Sequence, residues 1–324
     1  MKNKKVLITG VAGFIGFSLA EKLLKKKCHV YGIDNYDPYY SVSLKKKRIK
    51  ILKVYKKFFF SKIDFTNKKK LSNFFKKNNF YCVINLGAQA GVRYSLTNPE
   101  KYINSNFLGF INIIQNSIGS GVKKIIYASS SSVYGEQKKF PLKEKMNINP
   151  KNLYARTKKM NEELAEDVSN KNKNLSIIGL RFFTVYGEWS RPDMFMSKFL
   201  NAIYNKKMMQ LYNRGNHSRD FTYIGDVVMI LEKLIFKNHL KKHLIFNVCS
   251  NKPIHLTKLI DKIYSYTNKL PKITKTTFQQ ADVLKTHGDN SKIKKYLNLK
   301  NFMNIDLGLK KTIEHYYNNK IWKF

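Results

Sequence analysis

Short apolar runs alternate with amphipathic segments through the first 180 residues of the chain. The apolar runs predict strands at 6–9, 29–33, 58–63, 81–86, 124–128 and 175–180. The segments between them carry apolar residues at helical spacing, as Phe14, Leu19 and Leu23 do in the first. Strands separated by helices of this length indicate an α/β fold with a doubly wound parallel sheet.

The regular alternation of strands and helices ends after residue 180, where the predicted elements become shorter and helices and strands are mixed. Turn signals stand at 191–193, 213–216 and 252–253. We predict a smaller mixed α/β region that binds substrate at the carboxyl edge of the sheet. The expected division is a cofactor-binding domain at 1–180 and a mainly substrate-binding region at 181–324, with some later segments returning to the sheet. Because no linker rich in Pro, Gly or Ser separates them, one continuous body is expected.

Composition narrows the class of protein. Hydrophobic residues make up 43% of the 324, which is typical of a globular chain. The 61 Lys and Arg against 21 Asp and Glu give a net charge of +40, which by itself favours a nucleic-acid or anionic-membrane partner. The lysines, however, are scattered through every segment, so we expect no nucleic-acid partner. A non-catalytic basic binding protein is the alternative, and the charge would also attract an anionic substrate.

The predicted localisation rests on the absence of membrane-spanning and signal patterns in the sequence. No run reaches the ~18 uninterrupted apolar residues of a membrane helix, and the N-terminus has no apolar signal core. The three cysteines, Cys28, Cys82 and Cys249, are isolated and lack metal-ligand spacing. We predict a cytoplasmic protein with no membrane partner and no metal.

Three glycines, Gly10, Gly13 and Gly16, lie between the first strand and the first helix. They permit a tight turn and let a pyrophosphate approach the free N–H groups of the helix, as in a Rossmann dinucleotide site. The spacing is three and three, unlike the common Gly-x-Gly-x-x-Gly. Asp34 ends the second strand, where a carboxylate binds a ribose diol and disfavours a 2′-phosphate, so the predicted cofactor is NAD. Asp64, after the third strand, is a candidate for the adenine edge.

Tyr154 and Lys158 are four residues apart in a predicted helix and therefore share one face. A phenol has an ordinary pKa of ~10 and is a weak base at neutral pH. The adjacent ammonium is expected to lower that pKa and make the phenol a base. In a lysine-rich chain the same spacing also fits a solvated helix face.

These motifs resemble the extended short-chain dehydrogenases/reductases. That family has the glycine turn, Asp64, Tyr154-x-x-x-Lys158 and Arg181-Phe182-Phe183 in this order. Longer strings resemble the UDP-glucuronate 4-epimerases: GIDN at 32–35, AQAGVRYS at 88–95, YASSSSVYG at 127–135, LRFFTVYG at 180–187, RPDM at 191–194 and RDFTY at 219–223.

The resemblance implies roles for the matching residues. Tyr154 is the expected general base, with Lys158 as its partner and Ser130 completing a catalytic triad. The implied cofactor-binding residues are Gly10, Gly13, Phe14, Ile15, Gly16, Asp34, Asn35, Asp64, Phe65, Tyr154 and Lys158. The implied substrate-binding residues are Arg93, Ser130, Ser131, Ser132, Thr184, Arg191, Arg219 and Asp282. Relatives of this kind form homodimers through two long helices, here 99–120 and 154–171.

The residue before Val133-Tyr134-Gly135 bears on the reaction. Related nucleotide-sugar dehydratases and decarboxylases carry an acid there, whereas this chain has Ser132. The resemblance therefore implies NAD-dependent 4-epimerisation of UDP-glucuronate to UDP-galacturonate through a transient 4-keto sugar, for surface polysaccharide. The alternatives are a 4-epimerase of UDP-glucose or UDP-N-acetylglucosamine, and a UDP-glucuronate decarboxylase.

Overall fold

The structure is a computed structural model that describes residues 4–238, 242–277 and 282–324. Its strands are β1 (Lys5–Thr9), β2 (His29–Asp34), β3 (Phe58–Lys62), β4 (Cys82–Asn85), β5 (Lys124–Ser130), β6 (Ser176–Phe182), β7 (Thr184–Tyr186), β8 (Met209–Tyr212), β9 (Ser218–Tyr223), β10 (His243–Val248), β11 (Pro253–His255) and β12 (Ile273–Thr276). Its α-helices are α1 (Phe14–Lys25), α2 (Val42–Leu52), α3 (Lys68–Lys76), α4 (Tyr94–Thr97), α5 (Pro99–Tyr102), α6 (Gly109–Gly119), α7 (Leu153–Lys171), α8 (Phe195–Tyr204), α9 (Ile224–Phe236), α10 (Leu256–Thr267), α11 (Ser291–Leu297) and α12 (Ile305–Asn318).

Seven strands form one parallel sheet in the order β10-β6-β5-β4-β1-β2-β3. Side chains alternate between its two faces, as the period of a strand requires. Ile8 and Ile126 face a core shared with α1 and α9, while Leu7 and Ile125 face a core shared with α3, α6 and α7. Helices on both faces confirm the predicted doubly wound α/β fold.

The last strand of this sheet comes from the second half of the chain. Strand β10 pairs with β6 in parallel, from His243 beside Ile177 to Val248 beside Phe182. The smaller sheets are β11-β9-β7 and β12-β8. Among the described residues, no helix combines the length and apolar character that crossing a membrane requires.

Two of the differences between the predicted elements and the structure concern residues near the cleft. Strand β5 runs past the predicted end at residue 128 because Ser129 and Ser130 pair with Arg181 and Phe182 of β6. The long helix predicted at 99–120 is interrupted by a π-helical segment, Ile103–Leu108. Within that segment the Asn106 amide accepts from the Gln89 N–H at 2.7 Å and donates to its carbonyl at 3.0 Å. These bonds link the widened helical turn to the loop that follows β4.

Candidate active site

A cleft of about 1660 Å³ lies at the carboxyl edge of the sheet. Every residue that the sequence predicted for the site lines this cleft, although those residues come from positions as distant as Gly10 and Asp282. Parallel strands end at the same edge, so the loops that follow them converge there. The arrangement explains how residues spread over the chain share one site.

The glycine turn closes the end of the cleft beside β1. Gly10 has a φ of +67°, and a Cβ there would lie 2.7 Å from the backbone of Gly87. A Cβ on Gly16 would lie 2.3 Å from the Gly10 carbonyl oxygen. Helix α1 starts after Gly13 without a side-chain cap, so its first N–H groups remain available to an anion.

Two carboxylates stand beside this turn. Asp34 is buried and accepts the N–H groups of Ala12 at 3.0 Å and Tyr36 at 2.8 Å. Burial raises the pKa of Asp34, against the effect of these bonds and of nearby cations. Asp64 accepts from the Asn35 amide at 2.8 Å. An uncapped helix start, a crowded glycine turn and a carboxylate at the end of β2 fit a dinucleotide.

Helix α7 and strand β5 bring the three predicted catalytic residues together. Asn152 caps the helix by accepting from the Ala155 N–H at 2.9 Å, which places Tyr154 in the first turn. The Lys158 ammonium donates to the Ala128 carbonyl at 2.9 Å and lies 5.8 Å from the centre of the Tyr154 ring. The Ser130 hydroxyl donates to the Ser132 hydroxyl at 3.1 Å and lies near enough to the Tyr154 phenol to oppose the rise of its pKa.

The protonation of this pair differs from the prediction. Burial raises the pKa of Tyr154, and the opposing effects of the Ser130 hydrogen bond and the Arg191 charge are smaller. The expectation that the neighbouring ammonium lowers this pKa below its ordinary value was therefore wrong in direction. Helical spacing gives proximity, but it carries no information about how deeply both groups are buried. Burial also lowers the pKa of Lys158, to about 8.

We expect Lys158→Met to stabilise the protein at pH 7 while abolishing its activity. The folded-state pKa of about 8 lies below the unfolded value of 10.5, so at pH 7 the folded protein carries the full cost of a buried ammonium. Removing the ammonium should raise the free energy of unfolding by about 1–3 kcal/mol. Loss of the hydrogen bond to the Ala128 carbonyl would offset part of this gain. Urea unfolding at pH 7 measures this gain.

The gain should shrink as pH rises from 8 to 10.5, since the folded lysine loses its proton before the unfolded one does. Lys159→Met is the matched control, because that side chain is 39% exposed and should change stability little. A Lys158→Met protein less stable than wild type at pH 7 would contradict the expectation.

Two guanidinium groups line the cleft near Asp282. Arg93 donates to Asp282 at 2.7 Å and stacks 3.8 Å from the centre of the Tyr212 ring. Arg219 donates to the carbonyls of Ser218 at 3.1 Å and Leu284 at 3.0 Å. The ion pair between Arg93 and Asp282 joins the loop after β4 to the C-terminal part of the chain.

The cleft wall near Tyr154 carries hydroxyl groups and one ion pair. Ser131, Ser132 and Thr184 line it. Arg191 makes two hydrogen bonds to Asp193, of which the one from Nε is 2.9 Å. Asp193 also accepts from the Tyr39 hydroxyl at 3.2 Å. The carboxylate thus fixes the direction of Arg191 and balances its charge.

Sequence reasoning missed a buried ion pair behind the catalytic strand. Arg181 donates to both oxygens of Glu162, at 2.9 and 2.7 Å, and both side chains are at most 5% exposed. The Ser129 hydroxyl donates to the same carboxylate at 2.5 Å. A signal was present, because Glu162 follows Tyr154 and Lys158 at the same four-residue helical spacing.

No metal centre is found in the part of the chain that the structure describes. Within those ranges, no three His, Cys, Asp or Glu side chains converge as ligands for an ion. Cys28, Cys82 and Cys249 are all buried as free thiols.

A doubly wound sheet with a glycine turn and a Ser–Tyr–Lys group at its carboxyl edge defines the extended short-chain dehydrogenase/reductase class. The profile of the NAD dependent epimerase/dehydratase family matches residues 6–249. The chain belongs to this family, which confirms the family resemblance and the predicted cofactor, NAD.

Individual relatives cover nearly the whole chain. The uncharacterized protein MJ1055 of Methanocaldococcus jannaschii is 44% identical, over 99% of both chains. A UDP-glucuronate 4-epimerase of Thermodesulfobacterium geofontis is 38% identical, over 95% of this chain and 94% of its own. Among solved structures, UDP-glucuronic acid 4-epimerase from Bacillus cereus, in complex with UDP-glucuronic acid and NAD, superposes with a TM-score of 0.90. It is 28% identical, over 97% of this chain and 99% of its own.

Proposed function

We propose that this protein is an NAD-dependent isomerase that interconverts UDP-glucuronate and UDP-galacturonate by inverting C4 of the sugar. The similar proteins support a UDP-sugar 4-epimerase. A uronate substrate is supported by the wall of the cleft beside Tyr154. There Ser131, Ser132 and Thr184 present neutral hydroxyls. Neutral donors can bind a carboxylate without repelling it.

Oxidation at C4 requires a base on the sugar hydroxyl. Tyr154 would take the proton of the C4 hydroxyl, with the Ser130 hydroxyl holding the same oxygen. NAD, which the turn with Gly10, Gly13 and Gly16 would hold, would supply the hydride chemistry for oxidation and reduction at C4. Lys158 would limit the cost of negative charge on the phenol as this proton is taken, because its ammonium lies 5.8 Å from the centre of the ring. Burial nevertheless keeps the pKa of Tyr154 above its ordinary value.

Inversion requires the sugar to turn while the nucleotide stays bound. The flat 4-keto sugar would rotate about its bond to the pyrophosphate. Arg93 and Arg219 line the cleft and would hold the phosphate oxygens during that rotation, since guanidinium groups suit such oxygens. The same two arginines would account for the affinity for UDP.

A 4-keto glucuronate is a β-keto acid and loses CO2 readily. Hydrogen bonds from Ser131, Ser132 and Thr184 would hold the C5 carboxylate and slow that loss. The segment that ends β5, residues 128–132, contains no acidic residue that could protonate C5 after decarboxylation. We therefore propose epimerisation as the outcome. The surface-polysaccharide role and the cytoplasmic location stay predictions.

Purified protein with UDP-glucuronate and no added NAD tests the proposal, with products resolved by NMR. UDP-galacturonate at equilibrium would support it, because NAD regenerated in each cycle can stay bound. UDP-pentose and CO2 would instead identify a decarboxylase. Faster turnover of UDP-glucose or UDP-N-acetylglucosamine would identify a 4-epimerase of a neutral sugar.

Ser132→Glu is expected to raise the KM for UDP-glucuronate at least tenfold and to increase CO2 release. A carboxylate at this position would face the substrate's own carboxylate, and like charges in contact cost several kcal/mol. Ser132→Gln is the matched control, since it adds similar bulk without charge. An unchanged KM and product ratio in the glutamate variant would refute the assignment of this wall to a uronate.

We also propose a homodimer formed by α5, α6 and α7. The π-helical segment and α6 expose Leu108 at 46% and Ile118 at 38%, which are apolar side chains suited to a helical interface. Light scattering coupled to gel filtration tests this, and Leu108→Glu should favour the monomer.

A further inference from the structure

Arg48 of α2 is fully buried yet does not line the cleft. Its guanidinium donates from Nη1 to the Ala12 carbonyl at 2.9 Å and the Tyr40 hydroxyl at 3.0 Å. From Nη2 it donates to the carbonyls of Trp189 at 2.5 Å and Ser190 at 3.3 Å. All four acceptors are neutral. A buried cation usually has a carboxylate partner, so this arrangement suggests a specific use for the charge.

The carbonyls that accept from Arg48 belong to two segments that line different parts of the cleft. Ala12 lies within the glycine turn that is predicted to hold the cofactor. Trp189 and Ser190 directly precede Arg191, which lines the cleft beside the catalytic residues. One rigid guanidinium therefore joins the cofactor turn to the loop at 187–193 that faces the substrate. The planar fork of arginine suits this task, because its two terminal nitrogens point in fixed directions.

The loop that Arg48 holds has a costly backbone conformation. Trp189 has a φ of +60°, in the left-handed region that residues other than glycine rarely adopt. A conformation of this kind persists where surrounding contacts enforce it. The hydrogen bond from Arg48 to the Trp189 carbonyl is one such contact. The ring of Trp189 supplies another, since it packs edge-on against Phe17 of α1 at 5.6 Å.

Charge provides a second link to the cofactor. The uncapped start of α1 already attracts an anion through its N–H groups. The charge of Arg48 reaches this region, because it opposes the effect of burial on Asp34. A pyrophosphate bound at the turn would offset the buried positive charge. The bonds from Arg48 to Ala12, Trp189 and Ser190 would then be held more firmly than in the nucleotide-free protein.

We propose that Arg48 is a positioning residue that couples the two halves of the site, so that NAD at the glycine turn strengthens UDP-sugar binding at the 187–193 loop. This inference rests on the proposed function for its use of a UDP ligand. It predicts a coupling that is reciprocal, with the UDP-sugar also strengthening the binding of NAD.

The test measures the Kd of UDP-glucuronate by calorimetry, on charcoal-treated protein, with and without saturating NAD, because the sugar is the part of the ligand that would reach the 187–193 loop. In the wild type we expect NAD to tighten UDP-glucuronate binding about tenfold. In Arg48→Met this NAD-dependent factor should fall to about one. Methionine fills the space but forms no hydrogen bond to the glycine turn or to the 187–193 loop. Lys50→Met is the control on the same helix, since Lys50 is exposed, and should keep the wild-type factor.

Arg48→Lys separates coupling from stability if the methionine variant fails to fold. Lysine keeps the charge, but a single ammonium cannot hold Ala12 and Trp189 as a fork does. A near-native Tm with a coupling factor near one supports the inference. The inference is overturned if Arg48→Lys shows the same coupling factor as the wild type. It is also overturned if the wild type shows no coupling.

The two proposals can fail separately in this design. Repeating the measurement with UDP-glucose separates the two proposals, because a wrong choice of glucuronate would leave the coupling between NAD and that UDP-sugar intact. Turnover of UDP-glucuronate with equal coupling in wild type and variants rejects only the role of Arg48. Failure of the wild type to bind either UDP-sugar overturns both.

Discussion

Tyr154→Phe is expected to lower kcat by a factor of about 10²–10⁴, with NAD and UDP still bound. The substitution removes only the phenolic oxygen, which is the proton acceptor proposed for the C4 hydroxyl. Ser130 and Lys158 keep their places, because the serine lies at the end of β5 and the ammonium bonds the Ala128 carbonyl. The loss should therefore fall on the chemical step, with little change in the Kd of UDP. NMR of the product over time, with NAD content measured after purification, gives both quantities.

The pH profile adds a second readout for the same residue. A base must be deprotonated to act, so kcat/KM in the wild type should rise with pH toward the pKa of Tyr154, which burial has raised. That rising limb should be absent from the residual activity of Tyr154→Phe. Tyr317→Phe is the control, since Tyr317 is 59% exposed on α12. A Tyr154→Phe protein retaining more than a tenth of wild-type kcat would exclude the phenol as the base.

Glu162→Gln is expected to destabilise the protein by about 3–5 kcal/mol, a large part of the total stability of an ordinary domain. The change leaves the Arg181 guanidinium buried beside a neutral amide. It also weakens the bond from Ser129, which is adjacent to the predicted catalytic Ser130. Urea unfolding measures the loss, and kcat measured well below the Tm reports whether the end of β5 has moved.

The next residue supplies the control. Glu163 also forms an ion pair, with Lys159 at 3.5 Å, but its side chain is 60% exposed. Exposed pairs contribute little, so Glu163→Gln should cost at most about 0.5 kcal/mol. Replacing both buried partners, as Glu162→Leu with Arg181→Met, should cost less than Glu162→Gln alone, because no unpaired charge remains. Equal losses for Glu162→Gln and Glu163→Gln would show that the buried pair does not act as proposed.

The regular part of the fold could be predicted because a buried parallel strand is a continuous apolar run. Strands β1, β4, β5 and β6 produce such runs. The edge strand β3 was found from three phenylalanines, of which only Phe58 is buried, and the glycine turn marks the first crossover. The extension of β5 through Ser129 and Ser130 could not be predicted from an apolar run, since serines are polar and a run of them is typical of a turn. Their place in the strand depends on pairing with β6, more than 40 residues later. The π-helical segment likewise depends on a contact of Asn106 with Gln89 outside the helix.

The candidate site shows the same division between local and distant information. Motifs identified residues that all line one cleft, because each motif is local and the fold brings the motifs to one edge. The partners of those residues are set by packing through space. Arg93 bonds Asp282 across 189 positions of the chain, and no spacing rule reports such a pair. The raised pKa of Tyr154 has the same origin, since burial is a property of the assembled cleft.

The position of β10 has a consequence for how the chain is made. Strand β6 ends at Phe182 and its outer neighbour β10 begins at His243, so about sixty residues must be synthesised in between, which takes on the order of 3–12 s. During that interval the Ser176–Phe182 strand presents an unpaired apolar edge, which is the kind of surface that other chains can join. The period of greatest risk on the ribosome therefore begins once β6 has been translated. It ends when the His243–Val248 strand emerges and covers that edge.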